Sequence, residues 1–299
     1  TLLEGMADCS DVAKATWVFD GLSRVWSEDG TLIAEITYEK GRLEGESRYY
    51  RDSGSLHKCV NYRKSLRHGE THYYDESGTK IGFEHYLEGK LSGIRKIECP
   101  SYRLEERYRD GLLDEGVYYD GDSLLIAAVE KGEGEQVLFD ADGVVSERRE
   151  VQQGRLSGSI RTFTPSGAVA SLYEVKDGTK EGLEQVYYPE TSQCKLAITW
   201  RGGLMHGITR TWYRSGVQES ERELYKNERH GTSVAWYADG SLMHIEEYEH
   251  GVLVHGSYYK RGEPSLPVSR VDNGNGLATL YDSEGYLIER VRYERGQPL

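Results

Sequence analysis

Apolar and polar residues alternate along this chain in short runs of about six residues, and glycine-containing turns separate the runs. In residues 56–62, the even-numbered side chains (L, K, V, Y) fall on one face of an extended strand and the odd-numbered ones (H, C, N) on the other. No apolar period of 3.6 residues continues across the glycines. The alternation therefore predicts β-strands rather than helices.

A repeat of about 24 residues organises these runs. "GESRYYRDSGSLHKCVNYRKSLRHG" (45–69) and "GETHYYDESGTKIGFEHYLEGKLSG" (69–93) align almost without a shift. Eight of the eleven steps between the first glycines of successive units are 24 or 25 residues. Such a period indicates a repeat architecture. The first glycines are Gly21, Gly45, Gly69, Gly93, Gly116, Gly134, Gly158, Gly182, Gly207, Gly231, Gly256 and Gly276.

An aromatic residue follows this glycine by five positions in all nine units that have a complete first half, although only 11% of the chain is aromatic. These residues are Trp26, Tyr50, Tyr74, Phe139, Phe163, Tyr187, Trp212, Trp236 and Tyr281. A second glycine follows by nine positions in eight of the nine units, and Thr191 is the exception. Turn sequences such as "RDSG" and "DADG" indicate type I turns with glycine in the left-handed conformation.

The pattern predicts an all-β fold. We expect an elongated, single-layer antiparallel meander, or solenoid, of about twelve 24-residue β-hairpin repeats over residues 17–299. Residues 1–16 lack the repeat and are expected to form an N-terminal cap or tail at the first sheet edge. No helix longer than about two turns is expected outside that segment.

Two stretches depart from the pattern, residues 93–134 and residues 256–276. The first has lost the aromatic and turn register, and residues 101–150 carry a net charge of −8, from 6 basic and 14 acidic residues. We therefore expect residues 93–134 to be the weakest joint of the array. Proteolysis is expected to begin there or in residues 260–267.

The repeat resembles a known family. The pattern G-x4-[WYF]-x3-G-x-L-x5-Y-x2-G-x-L-x-G, with phrases such as "WYADGSL" and "YLEGKLSG", is similar to the MORN repeat in its longer, antitoxin-like bacterial variant. The similarity extends over about residues 17–299. It implies a hairpin solenoid that forms a twisted ribbon or trough, with roles in protein–protein contact, membrane-associated scaffolding or dimerisation.

Composition and charge limit the partners. The 299 residues are 37% hydrophobic, with a mean hydropathy of −0.67 and a net charge of −13. The negative net charge of the whole chain disfavours binding to nucleic acid and to anionic lipid. No apolar run reaches the ~18 residues of a membrane span. Four irregularly spaced cysteines favour a reducing, cytoplasmic compartment. The chain begins without Met, which leaves a removed upstream signal segment open.

Enzyme and metal signatures are absent from the sequence. It contains no G-x-S-x-G, P-loop, dinucleotide-binding or HExxH motif, and we expect no catalytic residue, cofactor or metal. Histidines precede the repeat glycine at His68, His206, His230 and His255. Equivalent positions in successive hairpins are about 10 Å apart, so these residues cannot share one ion. Cys59 with His57 or His85 is the remaining nucleophile–base combination, and its geometry is unfavourable.

The repeated aromatic residues are the best candidates for a binding surface. Two interpretations stay open: packing between neighbouring hairpins, or an exposed aromatic groove for a partner. The candidate groove residues are Tyr49, Tyr73, Tyr187, Trp212, Tyr213, Trp236 and Tyr237.

The sequence favours a non-enzymatic repeat scaffold that binds another protein, in the class of bacterial effectors or immunity proteins implied by the resemblance. Self-association through sheet edges or the aromatic face is a second mode of contact. The alternative is a membrane-surface organiser that binds lipid through the repeat ribbon. A hydrolase near Cys99 is the third hypothesis.

Overall fold

The computed structural model describes residues 2–8, 18–189 and 191–299. All regular elements of these residues are β-strands and none is a helix, so the all-β prediction is confirmed. The strands are β1 (Leu2–Asp8), β2 (Val18–Trp26), β3 (Leu32–Glu39), β4 (Arg42–Leu43), β5 (Gly45–Tyr50), β6 (Leu56–Arg63), β7 (Leu66–Tyr74), β8 (Lys80–Leu87), β9 (Lys90–Cys99), β10 (Tyr102–Arg109), β11 (Leu112–Asp120), β12 (Leu125–Glu130), β13 (Glu133–Phe139), β14 (Val145–Gln152), β15 (Arg155–Phe163), β16 (Val169–Lys176), β17 (Thr179–Tyr187), β18 (Cys194–Arg201), β19 (Leu204–Trp212), β20 (Gln218–Tyr225), β21 (Glu228–Trp236), β22 (Leu242–Glu249), β23 (Val252–Tyr258), β24 (Ser269–Asp272), β25 (Asn275–Tyr281), β26 (Leu287–Glu294) and β27 (Gln297–Pro298).

The chain divides into two compact units. Unit 1 comprises Thr1–Val137 and Val151–Arg155, and unit 2 comprises Leu138–Glu150 and Leu156–Leu299. Successive strands pair antiparallel from β1 to β13 in unit 1, where β4 and β5 share the edge of β3. The same pairing runs from β15 to β27 in unit 2. The predicted antiparallel meander is therefore present within each unit.

The first turn of each repeat has the predicted form. Gly54 has φ of 82°, its N–H donates to the carbonyl oxygen of Arg51 at 2.8 Å, and the Arg51 N–H donates to Ser55 at 2.9 Å. A side chain at this φ would strain the backbone, so glycine is required. The acidic or hydroxyl residues before it accept backbone N–H bonds, as Asp75 does from Thr79 at 2.8 Å.

The second turn of each repeat ties one hairpin to the preceding one. Lys40 and Gly41 both have positive φ, 49° and 77°, which is typical of a two-residue type I′ turn. The Gly41 N–H donates to the carbonyl oxygen of Phe19 at 2.8 Å, one hairpin back. In unit 2 the Gly251 N–H donates in the same way to Arg229 at 2.8 Å. These bonds fix the spacing between successive hairpins.

Two faces follow from the strand alternation. We call inner the face that carries the residue two positions after each repeat glycine, and outer the face that carries the residue directly after it. The inner position is buried at Ser23, Ser47, Thr71, Tyr118, Gln136, Ile160, Glu184, Ser233, Tyr258 and Ala278. Small residues occupy the inner position in most regular repeats, and tyrosine occupies it in the two irregular ones.

The irregular stretches are the best-buried parts of their units. Tyr118 has no exposed surface and Leu104 has 2%, and in unit 2 the corresponding cluster is Tyr248, Leu253, Tyr258, Val271 and Ala278. Glycine makes this packing feasible, because a Cβ at Gly116 would lie 2.7 Å from Tyr118 Oη and one at Gly256 would lie 2.8 Å from Tyr258 Oη. Residues 93–134 lack the fifth-position aromatic residue on which the weakest-joint prediction rested, but the Tyr118 ring covers the glycine two positions before it. From this packing we expect the stretch to be stable, in place of the weakest joint that the sequence predicted.

Unit 2 repeats unit 1 almost position for position. From Gly21 to Gly134 the repeat glycines are 24, 24, 24, 23 and 18 residues apart, and from Gly158 to Gly276 they are 24, 25, 24, 25 and 20 apart. Each series ends on matching backbone bonds. The Leu113 N–H donates to Gly154 at 3.0 Å, and the Leu253 N–H donates to Gly296 at 3.3 Å. The two units therefore share one framework, and residues at the same distance from matching glycines are equivalent.

Candidate functional site

A buried carboxylate organises the inner face of unit 1. Glu106 is 1% exposed and accepts four hydrogen bonds: from Arg95 Nη1 at 2.7 Å, Tyr118 Oη at 2.6 Å, Gln136 Nε2 at 2.8 Å and Tyr108 Oη at 3.0 Å. Burial raises the pKa of the Glu106 carboxyl, but the Arg95 charge and the neutral donors together hold it below its ordinary value of 4.5. Glu106 is therefore ionised at neutral pH and joins β9, β10, β11 and β13.

Glu246 occupies the equivalent place in unit 2. Its carboxylate accepts hydrogen bonds from Tyr258 Oη at 2.9 Å and Tyr248 Oη at 3.0 Å. Arg229 donates to Tyr248 Oη at 2.7 Å and extends the cluster to the preceding hairpin. In both units, two tyrosine hydroxyl groups at equivalent positions thus donate hydrogen bonds to the central carboxylate.

The candidate residues Tyr49 and Tyr73 lie on the inner face of unit 1, and their hydroxyl groups have partners. Tyr73 Oη donates to Glu84 at 2.6 Å, and burial together with this carboxylate raises the pKa of Tyr73. Tyr49 Oη is 3.1 Å from Tyr62 Oη, and the Lys58 ammonium lies 5.2 Å from the Tyr49 ring centre. Both residues therefore contribute to the inner network.

Tyr213 and Tyr237 join successive hairpins of unit 2. Tyr213 Oη donates to the carbonyl oxygen of Trp236 at 2.8 Å, and Tyr237 Oη donates to that of Tyr259 at 2.7 Å. Tyr237 has no exposed surface, so its ring is closed to a partner in this structure. Tyr188 makes the same bond to Trp212 at 2.7 Å. The sequence analysis did not select Tyr188, although it follows an aromatic residue just as Tyr213 and Tyr237 do.

Tyr187, Trp212 and Trp236 lie on the outer face of unit 2 and are half-buried. They hold the same register position, five residues after Gly182, Gly207 and Gly231 respectively. The seven candidate residues therefore divide between opposite faces and between the two units. They do not line one groove, and the three outer residues form a row of half-buried rings. We call Tyr187, Trp212 and Trp236 the aromatic row.

Exposed aliphatic side chains lie on the same outer face of unit 2 as the aromatic row. Leu183 is 53% exposed, Ile245 is 40% exposed and Ile208 is 39% exposed. Val234 pairs with Ile245 across β21 and β22. The sequence analysis missed these residues. Their parity relative to the repeat glycine was the signal that could have identified them.

Unit 1 carries charges at the equivalent outer positions. Apolar outer residues of unit 2 are replaced there by Glu35, Glu46, Glu70, Lys96, Glu98 and Glu105, which correspond in that order to Leu172, Leu183, Ile208, Val234, Trp236 and Ile245. Several of these charges are paired, such as Arg24 with Glu35 at 3.0 Å and Arg48 with Glu46 at 2.8 Å. The framework is shared, but at these six outer positions unit 1 carries charged residues and unit 2 carries apolar ones.

A cavity of about 510 Å³ opens on the outer face of unit 2 at one end of the aromatic row. It is lined by Arg161, Ala168, Val169, Leu172, Tyr187, Thr191 and Ser192. Its wall is mainly apolar, with polar groups at a few positions. A cavity of this kind can accept a side chain of a bound partner.

The cysteine candidates lack the features of a nucleophile. Cys59 is 5% exposed, and burial raises the pKa of its thiol, whereas burial lowers the pKa of His57. His85 Nδ1 is engaged with the carbonyl oxygen of Ser92 at 2.9 Å. Cys99 Sγ contacts the carbonyl oxygen of Tyr102 at 3.4 Å. Reactive cysteines have a lowered pKa and are accessible, so the Cys59 environment favours a structural role.

Three histidines and Tyr225 form a row of tilted rings along one turn edge of unit 2. The ring centres of His206 and Tyr225 are 5.1 Å apart, those of Tyr225 and His230 are 6.0 Å apart, and those of His230 and His250 are 5.0 Å apart. Among the described residues, no group of three or more His, Cys, Asp and Glu side chains could hold a metal ion. Nor do those residues contain a helix long and apolar enough to cross a membrane.

The strand register and turn chemistry define an all-β hairpin-repeat protein. Residues 19–40 match the family model of the MORN repeat variant, which is consistent with a MORN-repeat protein and confirms the resemblance found in the sequence. No curated protein matches the chain.

Among solved structures, 61 chains match. One match is a chain in the crystal structure of TcdB2-TccC3-TEV, with 13% sequence identity and a TM-score of 0.20. The alignment covers 90% of this chain and 17% of that chain. For the pore of the Photorhabdus luminescens Tc holotoxin, the identity is 12%, the TM-score is 0.21, and the coverage is 95% of this chain and 17% of that chain. This chain thus spans about 17% of those chains, and such distant matches transfer no function.

Glu106→Gln is expected to lower the free energy of unfolding by about 3 kcal/mol at pH 7, because the half-buried Arg95 loses its nearest carboxylate. Since the pKa of Glu106 in the folded state lies below 4.5, its stabilisation is complete above that pH and is lost as the pH falls through the folded-state pKa. Urea titrations from pH 7 to about pH 2 should therefore show a smaller acid-dependent loss in the variant than in the wild type. As a control, Glu46→Gln at an exposed position should lower the free energy of unfolding by under ~1 kcal/mol. Identical pH dependence of stability in the wild type and Glu106→Gln would contradict the role assigned to Glu106.

Adjacent residues on opposite faces should respond differently to truncation. Tyr237→Ala is expected to cost about 3–5 kcal/mol, because it empties a fully buried site and removes the bond to Tyr259. Trp236→Ala is expected to cost about 1–2 kcal/mol, because its ring is only half-buried. Denaturant melts of the two variants measure the difference. A larger cost for Trp236→Ala would show that the aromatic row belongs to the core.

Proposed function

We propose that this protein is a non-enzymatic repeat scaffold that binds another protein, and that the outer face of unit 2 is its contact surface. The observation that carries the proposal is the contrast between equivalent positions. The framework of unit 1 tolerates charges at these positions, so stability does not require the apolar residues of unit 2. Apolar side chains that folding does not require, and that remain exposed, are typical of interaction sites.

The composition of the surface supports protein binding. Trp and Tyr are enriched at interaction hot spots, and Trp212 and Trp236 share the outer face of unit 2 with the exposed aliphatic Ile208. The neighbouring cavity, lined by Leu172 and Tyr187 among others, offers a recess for an anchoring side chain. The more specific prediction of a bacterial effector or immunity-type protein remains a prediction.

A capture experiment with matched variants tests the proposal. The immobilised wild-type chain is compared with Leu183→Glu/Ile208→Glu, which introduces at both positions the residue that unit 1 carries at the equivalent place. The control is Leu66→Glu/Leu87→Glu, which adds the same charge at two unit 1 leucines that are each 49% exposed. Polypeptides captured from an extract of the source cells are identified by mass spectrometry, purified and titrated against each chain.

We expect a partner that binds the wild type and the control equally well but binds Leu183→Glu/Ile208→Glu at least about tenfold more weakly. A tenfold change in affinity corresponds to ~1.4 kcal/mol. A partner that binds all three chains equally would contradict the assignment to this face. Capture of no partner, together with salt-sensitive flotation on anionic liposomes, would favour the membrane-surface alternative instead.

A further inference from the structure

The aromatic row has a regular spacing. Its members lie at the ends of β17, β19 and β21, with β18 and β20 between them. Because adjacent strands are ~4.8 Å apart, neighbouring rings of the row are spaced by ~9.6 Å. A ligand that contacts all three rings must present equivalent groups at about that interval.

The row also offers hydrogen-bond donors without partners. Within the described residues, Tyr187 Oη and the indole N–H groups of Trp212 and Trp236 make no hydrogen bond, and none of these atoms is fully buried. The equivalent tyrosine of unit 1, Tyr50, donates to Glu35 at 2.9 Å. Leu172 replaces that glutamate in unit 2. Tyr and Trp donors need an acceptor once a ligand buries them, so this row is suited to a ligand rich in exposed acceptors.

Only one regular peptide conformation fits both features well. The polyproline II helix has three residues per turn and a rise of 3.1 Å, which repeats one face every ~9.3 Å. A β-strand repeats a face every ~6.8 Å, and two turns of an α-helix span about 10.8 Å. The polyproline II helix has no internal hydrogen bonds, so its carbonyl oxygens are free to accept from Tyr and Trp.

The size of the surface favours a segment over a second copy of this chain. The row extends over five strands, or about 20 Å, and is one to two side chains wide. It therefore offers on the order of 200–300 Å², whereas a stable dimer needs about 800 Å² from each partner. A single extended segment can be accommodated on such a strip.

We propose that the aromatic row of unit 2 binds a proline-rich segment of the partner protein in the polyproline II conformation. This inference rests on the proposed function and specifies the conformation that the surface recognises. Each turn of the ligand lies against one ring of the row. The indole and phenol donors bond to its carbonyl oxygens.

Fluorescence anisotropy with the whole chain tests the proposal. The probe is a fluorescein-labelled peptide of ten prolines, ~31 Å long, and the competitors are a strand-forming Thr/Val peptide and a helical Ala/Lys peptide with leucine every seventh residue. Trp236→Glu introduces the residue that unit 1 carries at this position, and Trp26→Glu makes the same change at the same register position of unit 1. Trp212→Phe keeps the aromatic ring but removes the indole N–H. Circular dichroism verifies that each variant is folded.

We expect saturable binding of the proline peptide, weakened at least about tenfold by Trp236→Glu, severalfold by Trp212→Phe, and unchanged by Trp26→Glu. Lack of binding, equal binding to all variants, or tighter binding of the strand-forming or helical peptide would overturn the proposal. Capture of a partner that depends on Leu183 and Ile208 would survive that outcome, so the two proposals can fail separately.

Discussion

Each unit depends on a buried carboxylate that two tyrosine hydroxyl groups satisfy. A sheet of hairpins can bury side chains only against neighbouring strands, so it lacks the thick apolar core of a two-layer domain. Glu106 compensates by joining four strands through charged and neutral donors. Glu246 forms the same centre with Tyr248 and Tyr258. An unpaired carboxylate at such a depth would be costly, so the tyrosines and the arginines that neighbour them are part of the framework.

This arrangement separates stability from recognition. Buried clusters and turn bonds hold the inner face and the hairpin spacing, while the outer positions are free to differ. The contrast between Glu46 and Leu183, or between Glu98 and Trp236, shows how far they differ on one framework. Unit 1 thus supplies a natural reference for unit 2, because each charged residue marks a substitution that the framework accommodates. The aromatic row at ~9.6 Å intervals follows directly from the strand spacing.

Sequence reasoning predicted the features that depend on local chemistry. The alternation of side chains and the turn glycines, such as Gly54, are encoded within a few residues, so strands and turns followed from them. Strand parity places Trp236 and Tyr237 on opposite faces. It could not say which face is buried, because that depends on the Tyr237 bond to a strand one hairpin away. The packing of Tyr118 over Gly116 was missed because the loss of the regular pattern was interpreted as a loss of contacts.

Hydrogen exchange of the free 299-residue chain, followed by mass spectrometry, tests most directly whether the carboxylate–tyrosine centres hold the units together. Amides exchange slowly where opening requires the loss of the best-buried contacts. The account predicts that the slowest amides lie in β10 and β11 around Glu106 and in β22 and β23 around Glu246. Uniform exchange across the repeats, or faster exchange in residues 93–134 than in residues 17–92, would contradict it.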